Sequence, residues 1–341
     1  MHSSDKQAEV LQFTVPFPPG VTLISLVIPV QDEADNLRLL YAELVELAQG
    51  LSDEMEIVWV DDGSSDDSWK IIQQFAVNDH RVRAIRFRRN FGKAAALRAG
   101  FETARGEIVI TMDGDLQDDP AEVPHFLKKI EEGFDVVSGW KKVRQDPWHK
   151  TLPSLVFNWA VSRLTGVELH DHNCGFKCYR RAVLEEIYLY AELHRFVPVL
   201  AAARGFRVGE LVVHHRSRTH GHSKYGFWRI PKGFLDLLTV KFLTGYGQRP
   251  QHLLGTAGLA FFLVGTTGIL ILTIAWFWTR SGFYCGEPIH LTDRAIFFYS
   301  IIALFFGGQL ISIGFLGELL ASYVAYDQKP YSIAERIETD E

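Results

Sequence analysis

Five short apolar runs recur in the first part of the chain, each followed by a polar stretch and then by apolar residues at helical spacing. The runs are Leu23–Val30, Glu56–Val60, Arg83–Phe87, Glu107–Met112 and Asp135–Gly139. Helical patterns extend from Asp32-Glu33-Ala34 to about Gly50, from Asp66 to about Val77, over Ala94–Ala104 and over Ala121–Glu132. Short continuous apolar runs suit strands buried on both faces. Their alternation with helices predicts an α/β fold, a mostly parallel central sheet with helices on both faces. In such a sheet the polar loops that follow the strands gather at one edge, where ligands bind.

The pattern changes toward the C-terminus. Leu253–Trp278 and Ala295–Gly317 carry no charge, and each exceeds the roughly 20 apolar residues needed to cross a bilayer. Trp276, Trp278 and Tyr299 suit an interfacial aromatic belt. Lys150–Leu164 and Phe227–Leu243 mix aromatic and aliphatic residues with Lys and Arg, as interfacial helices do. Packing on the sheet is an equal alternative for the first. The expected division is a tail (1–20), a catalytic domain (21–226), juxtamembrane helices (227–250), two spans within 251–320 and a tail (321–341). The N-terminus lacks a basic start and an apolar centre, so the catalytic part and both tails are expected in the cytoplasm. Gly307, Gly308 and Gly314 permit close contact between spans, and a homo-oligomer is one arrangement they allow.

Composition narrows the function. With 35 basic and 41 acidic residues the net charge is −6, which disfavours a nucleic-acid binder. Three cysteines make no disulfide framework. No G-x-G-x-x-G follows the first strand, and no phosphate-loop motif occurs, which disfavours dinucleotide cofactors and P-loop chemistry.

The informative stretch is Met112-Asp113-Gly114-Asp115-Leu116-Gln117, where a buried run delivers two carboxylates to a turn. Asp113, Asp115 and Gln117 form an all-oxygen set suited to Mg²⁺ or Mn²⁺, with further ligands from water and substrate phosphate. The alternative, an acidic helix cap, suits Asp119, which precedes Pro120. Lys93 opens a helix, where a cation is unfavourable against the dipole, so a ligand contact explains it better. His170, His172 and Cys174 alternate without metal-ligand spacing and fit a strand or loop better than zinc.

Ser25–Val30 with Glu33, Val60-Asp61-Asp62-Gly63-Ser64, Arg89-Asn90-Phe91-Gly92-Lys93, the Asp113–Gln117 turn and Ser223-Lys224-Tyr225 occur in this order before two spans. The chain thereby resembles the polyprenyl-phosphate branch of the family-2 glycosyltransferases. The resemblance implies a GT-A nucleotide-binding fold, a membrane-bound enzyme, and inverting transfer of one sugar from a nucleoside-diphosphate sugar to a polyprenyl phosphate. UDP-glucose and GDP-mannose are the leading donors. Val30-Gln31-Asp32 and Cys174-Gly175-Phe176-Lys177 depart from the family's common pattern in segments that bear on donor identity.

By the resemblance, Pro29, Val30, Glu33, Asp61, Asp62, Lys93, Asp113 and Gly114 bind the donor nucleotide. Asp66 takes the helix-cap role beside Asp61 and Asp62. Asp115 and Asp171 are the catalytic candidates. Asp171 matches the family's candidate base, with orientation of a substrate or a turn cap as alternatives. An acceptor phosphate monoester, with a second pKa of about 6, is largely dianionic at neutral pH and needs a base less than a hydroxyl does. Lys141, Lys142, Arg144, Arg218, Ser223 and Lys224 are candidates to hold that phosphate, Lys224 foremost because its motif is specific. A processive polysaccharide synthase is disfavoured because Gln-x-x-Arg-Trp is missing. A sugar-nucleotide-binding membrane scaffold is the non-enzymatic alternative.

Overall fold

The computed structural model describes residues 22–51, 54–142, 148–187, 193–216, 229–246, 249–281, 283 and 286–324. The chain divides into two compact units, Met1–Ile230 and Pro231–Glu341. The first is built on a seven-stranded sheet: β1 (Leu23–Val30), β2 (Glu54–Asp61), β3 (Val82–Arg86), β4 (Ile108–Thr111), β5 (Val136–Trp140), β6 (Lys177–Arg180) and β7 (Val208–Val212). Their order is β3-β2-β1-β4-β6-β5-β7. The pairs β1–β2, β2–β3, β1–β4 and β5–β7 are parallel, and β6 runs antiparallel to both neighbours.

Helices cover both faces. They are α1 (Ala34–Gly50), α2 (Ser68–Asn78), α3 (Lys93–Thr103), α4 (Val123–Glu131), α5 (Trp148–Thr165), α6 (Arg181–Glu186) and α7 (Val197–Ala203). Leu37, Leu40 and Leu44 recur at helical spacing and bury against Ile28, Trp59 and Phe75 on one face. Successive strand residues point to opposite faces. Val27, Val58, Val60 and Val109 accordingly meet Ala96 and Leu97 of α3 on the other. Gly100 lets that helix close on the sheet, because a Cβ there would overlap a methyl of Val27.

The five strands expected from sequence are present, the first with the expected ends and the others with ends shifted by one or two residues. The strands β6 and β7 were not legible. The four residues of β6, Lys-Cys-Tyr-Arg, have no apolar run; β7 is only half-buried at the sheet edge.

The helix α5 packs one face inward through Val161 and Asn158, whose Nδ2 donates to the His170 carbonyl at 2.8 Å. It leaves Leu155, Val156 and Trp159 exposed. In the second unit, α8 (Arg229–Tyr246) precedes two long apolar helices, α9 (Pro250–Arg280) and α10 (Ala295–Val324). Both contain stretches long and apolar enough to cross a membrane, and their side chains are largely uncovered by protein. Glycines let α9 and α10 touch backbone to backbone: a Cβ on Gly258 would lie 2.8 Å from the Gly307 carbonyl. Gly307 and Gly314 therefore serve contacts inside the chain, whereas Gly308 has open space around it. This narrows the expected oligomer surface, because two of its three glycines are already used.

Candidate active site

Three loops at the C-terminal ends of β1, β2 and β3 interlock by side-chain to backbone bonds. After β1, Asp32 takes a left-handed conformation (φ 51°) and its Oδ1 accepts the Ser65 amide at 2.7 Å. The Asp32 and Glu33 amides donate to Ser64 Oγ and Ser68 Oγ, each at 3.0 Å. Asp66 caps two helices at once, accepting the Ser68 amide at 2.9 Å and the Ala34 amide at 3.0 Å. Its expected capping role thus extends to α1. Glu33 Oε2 accepts from Asn36 Nδ2 at 2.6 Å, inside the first turn of α1.

The predicted nucleotide ligands after β2 are engaged in the same scaffold. Asp61 is fully buried; its Oδ1 accepts the Ser64 amide at 3.0 Å and its Oδ2 lies 3.2 Å from Arg86 Nε. Asp62 accepts the Phe91 amide at 2.7 Å and the Gly92 amide at 2.9 Å. Burial pushes the Asp62 carboxyl up, and the two amides pull it back. Gly63 (φ 69°) sits under the same loop: a Cβ there would overlap the Arg89 carbonyl carbon and lie 2.7 Å from the Asn90 nitrogen. Val30 differs from expectation. Its side chain is in the core and its carbonyl accepts the Asp62 amide at 2.8 Å, so it supports the site from behind.

The Asp113–Gln117 turn follows β4. Leu116 is buried and left-handed (φ 61°), an unusual state for a residue with a branched side chain, held by the turn around it. Asp115 Oδ1 accepts the Gln117 amide at 3.2 Å. Gly114 has neither a positive φ nor a close neighbour; its nearest contact from a Cβ would be 3.6 Å, so space does not demand glycine there. The Gln117 carbonyl accepts the Arg216 amide at 3.0 Å. The Asp119 side chain accepts from Ala121 ahead of Pro120, the cap expected from sequence.

The site contains one acidic residue that sequence reasoning missed. Asp118, 1% exposed, accepts the Asp113 amide through Oδ2 at 3.2 Å and pairs through Oδ1 with Lys141 Nζ at 2.9 Å. Burial works against the Lys141 charge, and the negative surroundings, Asp118 first with Asp113 behind it, more than offset it and raise its pKa. Lys141, expected to hold acceptor phosphate, is instead committed to the buried turn, and its side chain is only 15% exposed. Lys142 stays on the surface over the Trp140 ring, 5.5 Å from its centroid.

Asp113 pairs with Lys93, the first residue of α3. Desolvation would raise the Asp113 carboxyl, but the Lys93 and Lys141 ammoniums overcome it and hold its pKa down at about 2. A Cβ on Gly175 would stand 2.9 and 3.0 Å from the two Asp113 oxygens and 3.0 Å from Lys93 Nζ. Glycine at 175 thus lets its backbone lie against this pair, where a side chain would crowd both partners. Among the described residues no three His, Cys, Asp or Glu side chains converge on one point. Two hard carboxylates on one turn, with the Asp113 side chain 31% exposed, fit a divalent ion that completes its shell from a diphosphate.

Asp171 is 1% exposed, and its Oδ1 accepts the Asn173 amide at 3.1 Å, so it closes a turn. Glu210 Oε1 fixes that segment by accepting the His170 and Asp171 amides at 2.8 and 3.1 Å. His170 Nδ1 bonds Glu210 Oε2 at 2.7 Å, while His172 Nε2 faces Ser162 Oγ at 3.1 Å. The two histidines thus serve different partners. Lys177, His194 and Arg195, which the sequence did not single out as ligand contacts, lie behind Gly175 around a small cavity. Arg144, Arg218, Ser223 and Lys224 lie outside the described residues.

A GT-A sheet with an acidic turn beside a lysine defines this protein as a glycosyltransferase. The chain belongs to glycosyl transferase family 2, whose model matches residues 25–188. It is similar to a dodecaprenyl-phosphate galacturonate synthase of Rhizobium johnstonii, 35% identical over 93% of this chain and 94% of that one. It is also 35% identical to an undecaprenyl-phosphate 4-deoxy-4-formamido-L-arabinose transferase of Pseudomonas aeruginosa, over 94% of this chain and 91% of that one. Among solved structures, a glucosyl-3-phosphoglycerate synthase of Mycobacterium tuberculosis with Mn²⁺, UDP and phosphoglyceric acid shares the fold. Its TM-score is 0.50 at 18% identity, covering 65% of this chain and 78% of that one.

Proposed function

We propose that this enzyme moves one sugar from a UDP-sugar to the phosphate of a membrane-resident polyprenyl phosphate. The observation that carries this reading is the partly exposed Lys93–Asp113 pair, which joins the first residue of α3 to the acidic turn after β4 at the loop edge of the sheet. The likeness to two polyprenyl-phosphate sugar transferases over almost the whole chain supports the acceptor, as do the two apolar helices. The fold neighbour's complex with Mn²⁺ and UDP supports the nucleotide. The catalytic domain (21–226) faces the cytoplasm, with both tails on the same side of the inner membrane.

In the reaction an acceptor phosphate oxygen bonds to the anomeric carbon of the sugar. The bond from that carbon to the β-phosphate oxygen breaks, its electron pair leaves with UDP, and the configuration inverts. The acceptor is already largely dianionic, so no strong base is required. Asp113 and Asp115, with Gln117 beside them, would hold Mg²⁺ or Mn²⁺; bound there, the ion neutralises charge on the departing diphosphate. Lys93 adds a fixed positive charge at the same place. Asp62 and Gly63 hold the loop from which α3 starts, and so place Lys93. Pro29, Glu33 and Asp61 frame the nucleotide side. Asp171, buried and closing its own turn, acts as a positioning residue, and Arg218, Ser223 and Lys224 receive the acceptor phosphate.

Purified protein with Mg²⁺ or Mn²⁺ should release UDP from its donor only when a polyprenyl phosphate is present. Release that is independent of lipid, or sugar-lipid formation untouched by a chelator, would sink the reading.

A further inference from the structure

The side chain of Lys177 carries a charge into the interior of the first unit. It projects from β6, is 3% exposed, and its ammonium donates to the His172 carbonyl at 3.4 Å and to the Cys174 carbonyl. Among the described residues no carboxylate is in ion-pair contact with it; Asp171 and Asp113 act on it only from farther away. The other two lysines nearby are neutralised, Lys93 by Asp113 and Lys141 by Asp118. Burial accordingly pulls the Lys177 ammonium below its ordinary pKa. A buried cation with only carbonyl partners is costly unless a ligand supplies the counter-charge.

The space beside it limits what that ligand group is. Lys93, Thr111, Gly175, Lys177, His194 and Arg195 border a cavity of about 30 Å³. That volume admits about two water-sized atoms. A carboxylate fits a space of that size, and the two cationic side chains of Lys177 and Arg195 at its lining favour an anionic group there. Lys93 and Gly175 border this cavity and also lie against Asp113. A substituent entering the cavity therefore belongs to the unit attached directly to the diphosphate. Arg195, itself 8% exposed, brings a second cation to the lining. His194 is pushed well below its ordinary pKa by burial and by Lys93, so it adds a neutral ring rather than a third charge.

We propose that this cavity is the specificity pocket for the donor sugar, and that Lys177 with Arg195 receives a carboxylate of that sugar. The donor is then a UDP-uronic acid and not UDP-glucose. This rests on the reading of the site as a UDP-sugar site, and it deepens that reading by naming the sugar class. A neutral hexose would leave the ammonium buried without an anion, whereas a C6 carboxylate would replace the missing partner.

The test compares UDP-glucuronate and UDP-galacturonate with UDP-glucose and UDP-galactose on the detergent-purified full chain. Binding is measured by calorimetry, and transfer by formation of sugar-lipid on undecaprenyl phosphate. At least one uronate should bind about tenfold or more tightly than its neutral counterpart. In Lys177→Met that ratio should collapse toward one, while the affinity for UDP alone stays within about twofold. Lys177→Gln, which keeps donors for the two carbonyls, should behave the same way if the methionine variant folds poorly. A wild type that binds neutral sugars as well as uronates would overturn the proposal, as would variants that lose UDP and uronate together. Binding that favours uronates without any lipid-linked product would leave this inference standing and refute the transfer reaction. Lipid-linked product made best from a neutral sugar would do the reverse.

Discussion

The carboxylate of Asp62 accepts the amide of Gly92 at 2.9 Å and thereby sets where α3 begins. Gly92 is left-handed (φ 94°) and directly precedes Lys93, whose ammonium grips Asp113. One aspartate at the end of β2 thus positions a lysine that reaches the turn after β4. Removing a buried acceptor of two amides typically costs about 2–4 kcal/mol. Asp62→Ala is expected to lower the melting temperature and to raise KM for the donor as Lys93 loses its placement. Asp62→Asn keeps one acceptor oxygen and should recover part of both, measured by thermal melts beside donor-dependence curves.

Gly63 tests the same loop from below. Gly63→Ala forces a Cβ against the Arg89 carbonyl carbon in a backbone conformation that disfavours side chains. A loss of about 2 kcal/mol or more in denaturant unfolding is expected. A neutral result would mean that the 89–92 loop moves freely of β2.

The acidic turn carries the chemistry. Asp113→Asn and Asp115→Asn should each cut turnover by about 100-fold or more while leaving the melting profile near that of the wild type. Chelation should abolish activity, and Mg²⁺ or Mn²⁺ should restore it. Because Lys93 and Lys141 hold Asp113 at a pKa of about 2, its titration should be invisible in the activity profile above pH 4 or so.

His172 predicts an acid sensitivity of folding. It is fully buried, and its Nδ1 has no hydrogen-bond partner among the described residues. Desolvation, then Lys177, lower its pKa from 6.5 to about 4. Between those values the unfolded chain binds the proton more strongly, so stability falls as the pH drops through this window and is complete above it. The span corresponds to on the order of 3 kcal/mol. Thermal melts from pH 7.5 to 4.5 should show the decline, and His172→Gln should flatten it.

Helix packing in the second unit depends on absent side chains. Gly307→Val would thrust a branched side chain to within 2.6 Å of the Gly258 carbonyl already at Cβ. Separation of α9 from α10, read by loss of a cross-link between engineered cysteines on the two helices, is the expected outcome.

The parallel half of the fold and the acidic turn were legible because local pattern encodes them. A run such as Ile108–Met112 must be buried, and carboxylates placed directly after it must emerge at the strand's C-terminal end. The two apolar helices were legible for the same reason, since their length and lack of charge follow from the solvent they face. Which carboxylates are used as scaffold was not legible. Asp62 and Asp118 look like Asp113 and Asp115 in the sequence, yet they spend their oxygens on the amides of residues 91, 92 and 113 and on Lys141.

Local pattern, by itself, determined a buried βα repeat, an acidic turn after the fourth strand and two membrane-length helices, because each follows from the burial of contiguous residues. Tertiary structure alone decided that β6 enters antiparallel between β4 and β5 and carries Lys177 into the cavity behind Gly175. The physical reason is that a charge acquires its role from the groups packed around it. Those groups come from strands and turns far apart in the chain, so no window of sequence contains them together.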